Sequence, residues 1–66
     1  MDSLGRTMEN YHAWFQNEKA NKAITIACDG ISLTHANARA WIKFMGTQAW
    51  KEDKFSWRLE TLDRSI

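Results

Sequence analysis

The residues of this chain with the chemistry to act as nucleophiles or ligands are few: one cysteine, Cys28, and two histidines, His12 and His35. A cysteine paired with a histidine base would be a thiolate nucleophile, and Cys28-Asp29-Gly30 falls where a strand is expected to give way to a helix. Such a nucleophile also needs a second acid at a strand end, an oxyanion loop and a water-excluding cavity, and the sequence signals none of these. A small apolar side chain closing a buried strand is the reading that fits Cys28. The same three side chains lack the paired spacings by which zinc sites are recognised. Gly5, Gly30 and Gly46 are scattered, so there is no phosphate-cradling loop. The expectation is a protein that is not an enzyme, needs no cofactor or metal, and works by binding.

Binding chemistry is easier to find. Between Ser32 and Gly46 there is no acidic residue, and His35, Arg39 and Lys43 recur at i, i+4 and i+8, one basic ridge on a helix. Beside it Ala38, Ile42 and Met45 point away from the expected buried stripe, with Ile42 opposite Leu33. An apolar strip flanked by cations suits a partner surface. It would equally suit self-association or, for the cations alone, plain solvation.

The elements that must position these groups can be read from periodicity. Phe55, Trp57, Leu59 and Thr61 alternate with Ser56, Arg58 and Glu60, which predicts a final strand with its bulk on one side. Ala23 to Cys28 is β-branched and predicts a strand whose Ile24, Ile26 and Cys28 share the core face, with Asp29-Gly30 turning the chain into the helix. Ser32 is a suitable N-cap, Gly46 suits a left-handed C-terminal position, and Lys43 suits the negative end of the helix dipole. Leu33, Ala36, Ala40 and Phe44, with Trp41 beside them, predict the buried stripe. Tyr11 to Gln16 reads as a first strand followed by a hairpin loop from Asn17 to Asn21. Met8, Tyr11 and Phe15 also keep a helical spacing, leaving an N-terminal helix as the alternative. Thr47 to Lys54 reads as a loop.

The expected class is therefore α+β, a three-stranded antiparallel sheet with one helix packed across it, in the order ββαβ. Residues 8–66 would form the single small domain and residues 1–7 a frayed N-terminus. Sixty-six residues make a thin core. One cysteine excludes an internal disulfide, and no apolar run approaches the ~18 residues of a span, so a soluble protein of a reducing cytoplasm is expected, with no membrane partner. Nine basic against eight acidic residues leave a net charge of +1, too little for a field that steers nucleic acid. Lys51 and Lys54 are cancelled locally by Glu52 and Asp53. Four tryptophans exceed what such a core can hide, so at least one should be partly exposed.

With that order in hand, the chain resembles small bacteriophage ββαβ proteins that bind and disable host machinery, inhibitors of bacterial RNA polymerase among them. The resemblance lies in the aromatic first strand at Trp14-Phe15, the Ser32-Leu33 helix start, Ala36 and Ala40 four apart, and a last strand carrying Arg58. It covers about Tyr11 to Arg64 through generic motifs, and the acidic helix such inhibitors can show is missing. It implies a host protein or protein complex as partner, inhibition by occlusion, the host cytoplasm as location and Arg58 as a contact residue. The expected partner-binding set is Arg39, Ile42 and Lys43 on the helix, with Arg58, Trp14 and Trp50. A nucleic-acid-binding module and a structural homodimer are the alternatives. The sheet face away from the helix, expected to show His12, Trp14, Thr25, Arg58 and Glu60, is a second candidate surface, and its edge strands could accept a partner's strand.

Overall fold

A computed structural model describes residues 7–65, so most of the segment expected to fray lies outside the described residues. The chain forms β1 (Glu9–Asn17), β2 (Lys22–Gly30), α1 (Leu33–Met45), a short α2 (Gln48–Glu52) and β3 (Trp57–Arg64). The sheet is antiparallel, with β1 between β2 and β3. This is the α+β, ββαβ arrangement, with α2 added inside the stretch read as a loop. Tyr11 to Gln16 is strand, not the alternative helix. Ile24 and Ile26 find their neighbours in Phe15 and Ala13 directly across the ladder.

The hairpin between β1 and β2 is held by asparagines. Asn17 Oδ1 accepts the Ala20 N–H at 3.0 Å, and Asn21 takes a left-handed φ of 56°, which asparagine tolerates better than most residues. Strand β2 runs on through Asp29 and Gly30, which pair with Asn10 and Glu9. The expected turn there falls instead at Ile31-Ser32. Gly30 is required by closeness: a Cβ on it would lie 2.7 Å from the Ala36 amide nitrogen.

Helix α1 begins as read, with Ser32 Oγ accepting the His35 N–H at 3.2 Å. Its end differs. Gly46 has φ −84° rather than a left-handed value, because Thr47 follows at once in extended form and caps α2, its Oγ1 accepting the Trp50 N–H. Ala36, Ala40 and Phe44 are buried, while Leu33, expected in the same stripe, is 56% exposed. Leu33 is the first helical residue and has no turn of helix before it to shelter it.

The core centres on stacked rings. Phe15 and Phe44 lie 4.2 Å apart and nearly parallel, and Trp41 and Trp57 meet them edge-on. Such pairs add about 0.5–1.5 kcal/mol each beyond area burial. The Trp57 indole N–H reaches Ala49 O at 3.2 Å, so α2 closes the end of the core.

The last strand departs from its simple alternation. Phe15 pairs with Leu59 and Trp14 with Thr61, so Glu60 is an extra residue, a bulge. After it the phase flips: Leu62, not Thr61, shares the face of Leu59 and Trp57. Phe55 lies outside the strand and is 96% exposed. The cause is Asp53, whose carboxylate accepts the Phe55 and Ser56 N–H groups and, from its other oxygen, the side chain of buried Asn17. That local turn bends the chain before β3 can begin.

Candidate partner-binding surfaces

Among the described residues, helices cover one face of the sheet only. Ala13, Phe15 and Trp57 point into the core, so Trp14 and Arg58, next to them in sequence, point to the opposite, uncovered face. Arg39, Ile42 and Lys43 stand on α1, on the other layer. The six expected site residues are therefore distributed over separate surfaces rather than gathered on one. Arg39, Ile42 and Lys43 are brought together and line a concavity of about 120 Å³. Trp14 and Arg58 share the open sheet face. Trp50, expected as a contact residue, is half-buried against the core with Lys54 Nζ 5.2 Å from its ring centre. Of the other tryptophans Trp57 is buried, Trp41 is half-buried, and Trp14 is 48% exposed.

The basic ridge on α1 points outward yet is held by the neighbouring strand. Arg39 Nε donates to Asp29 Oδ1 at 2.8 Å, and Lys43 Nζ donates to the Ala27 carbonyl at 2.6 Å. His35 Nδ1 accepts the Ile31 N–H at 3.0 Å. Each contact reaches β2 or the residue that follows it, because α1 lies over that strand. Exposed pairs of this kind stabilise by about 0.2–1 kcal/mol. Their larger consequence is geometric: they hold two cations in place along one side of Ile42, which is 66% exposed. Met45, also on the outer side, is 38% exposed.

On the open face Trp14 stands between Thr25 and Thr61 in the neighbouring strands, its indole N–H bonded to Gln16 Oε1 at 3.0 Å. Arg58 is paired with Glu60 on its own strand and with Glu18 at 2.9 Å. Arg64 is paired with Glu9 at 2.9 Å. A face whose arginine sits between two carboxylates is a poor match for a phosphate backbone.

Cys28 is 6% exposed, and its thiol donates to Ala36 O at 3.6 Å. Burial pushes its pKa up, against a smaller opposing effect of Lys43. A thiol held protonated in this way is a weak nucleophile. Among the described residues no group of histidine, cysteine and carboxylate side chains is arranged to hold a metal ion. Among the described residues no helix is long and apolar enough to cross a membrane.

Two further features have different origins. The exposure of Phe55 was signalled by Asp53 three residues before Ser56, a spacing typical of side-chain-capped turns. The clasp of α1 on β2 had no local signal, since Lys43 and Ala27 lie 16 residues apart. Compared with known proteins, the chain matches no family model, no curated protein and no solved structure.

Proposed function

We propose that the protein is a small binding module of the phage or accessory type. It docks on a host protein or protein complex of the transcription or defence machinery and inhibits it by occlusion. The observation that carries this reading is Ile42, 66% exposed beside the ridge of Arg39 and Lys43 on a helix without an acidic residue. Covering one such aliphatic side chain contributes about 1.5–3 kcal/mol. The flanking cations are already held by Asp29 and Ala27, so binding need not pay much of the roughly 0.5–1.5 kcal/mol that ordering each free side chain costs. The host and the occlusion come from the resemblance to phage inhibitors, and the protein rather than nucleic-acid partner from the paired arginines.

The test is affinity capture from the host with the wild type, Ile42→Glu and the double reversal Arg39→Glu/Lys43→Glu, each checked for folding by circular dichroism. One stoichiometric protein partner, lost with either variant, is the expected result. Capture unchanged by both variants would move the site to the open sheet face around Trp14 and Arg58. A parallel titration against mixed DNA and RNA should show no steeply salt-dependent binding; finding it would favour the nucleic-acid reading.

A further inference from the structure

The outer edge of β3 is built to pair with itself. The Ser65 N–H donates to Asn10 O at 2.7 Å, so Asn10 directs its backbone toward β3. By the alternation of an antiparallel ladder His12, Trp14 and Gln16 do the same, and their partners Asp63, Thr61 and Arg58 spend their backbone groups inward. Leu59 and Leu62 then turn their N–H and C=O groups outward, to the open edge. Both side chains lie on the helix-bearing face and both are half-buried, because α1 lies over β2 at the far side of the sheet.

The bulge decides what this edge can accept. When a two-fold axis pairs a strand with its own copy, opposed residues must lie on the same face in both copies. In a regular strand those residues are an even number apart. The extra residue Glu60 changes that here: Leu59 and Leu62, three apart, share one face, and Arg58 and Asp63, five apart, share the other. A two-fold axis between Glu60 and Thr61 therefore sets Leu59 against the copy's Leu62, and Arg58 against the copy's Asp63. Each match occurs twice. Bulges usually blunt an edge against pairing; this one brings a charge-complementary, apolar-matched register into phase.

We infer that a second copy of this chain adds to β3 in antiparallel register, joining two sheets into one of twice the width. The two leucine pairs cover the half-exposed apolar side of β3. Arg58 keeps its Nε and Nη2 bonds to Glu60 and Glu18 and has further N–H donors for the copy's Asp63. This inference is independent of the helix face and leaves Ile42 outside the contact.

Sedimentation velocity on the full chain tests it, over concentrations from about 5 μM to about 1 mM, a range that brackets micromolar association. A concentration-dependent dimer is expected. Asp63→Arg and Arg58→Asp should each weaken it about tenfold or more, and the double exchange should restore it to within about threefold. Since Arg58→Asp also sets like charges beside Glu18 and Glu60, a synthetic chain N-methylated at Leu62 provides a second probe. It removes one outward N–H and should also weaken the dimer. Circular dichroism should show the monomers folded. Sedimentation as a monomer throughout, or a dimer as strong in Asp63→Arg as in the wild type, overturns the inference.

Discussion

Along β2 the edge is guarded from above: Lys43 occupies the Ala27 carbonyl and Arg39 is held by Asp29, both reaching down from α1. Along β3 the helices reach the first residue, Trp57, and among the described residues no side chain of α1 is hydrogen-bonded to the edge beyond it, where the strand carries a bulge and two half-buried leucines instead. An unpaired strand edge is a template for further pairing, and proteins commonly blunt it with charge or a covering element. This molecule applies that protection to one side. The difference follows from where the small residues lie. Ala36 and Ala40 let α1 settle onto Gly30 and Cys28, so the helix is drawn over β2 and its basic side chains fall within reach of that edge. The bulky Phe44 and Trp41 stack on Phe15 of the middle strand, and Phe44 meets β3 at its first residue, Trp57.

That contrast can be broken most severely at Gly30. Gly30→Ala places a methyl 2.7 Å from backbone that cannot yield without moving α1. A loss of up to about 3 kcal/mol is expected, read as a lower urea midpoint. On the β3 side, Leu62→Ala removes only half-buried surface and should cost about 1–2 kcal/mol, measured under dilute conditions. If the two substitutions cost the same, the two sides are packed alike and the comparison fails.

The double variant Arg39→Gln/Lys43→Gln should change stability by no more than about 1 kcal/mol, as expected for exposed pairs. It should nonetheless unguard β2, and light scattering should then show association beyond the dimer. Scattering identical to the wild type would mean the clasp does not protect that edge.

The smallest expected effect is at Asp53, where hydrogen bonds from Ser56 and then Phe55 hold the carboxyl below its usual 3.8. The unfolded chain takes up this proton first as pH falls. The stabilisation is whole above pH 3.8 and is lost as pH drops through the lower folded value. Acid titration of Asp53→Asn should show a correspondingly shallower loss of stability below pH 3.8 than the wild type, with β3 entering at the same residue only if other contacts hold the turn.

Much of the fold was legible because it rests on local rules. The Ser32 cap, the Ala36–Ala40–Phe44 stripe and the alternation of Ile24, Ile26 and Cys28 depend on spacing and on groups within a turn or two. Of the binding set, Arg39, Ile42 and Lys43 could be placed on one helix flank for the same reason. Their division from Trp14 and Arg58 could not, because it depends on which sheet face the helix covers.

The amino-acid order alone determined the three strands and α1, their sequence along the chain and the absence of acid from α1, since these follow from neighbours a few positions apart; the short α2 reads as loop. Only the tertiary structure decided which edge is shielded, that Leu62 replaces Thr61 on the apolar face, and that Phe55 is excluded. Those outcomes turn on one inserted residue in a ladder and on contacts between Asn17 and Asp53 or Ala27 and Lys43, which no local pattern encodes.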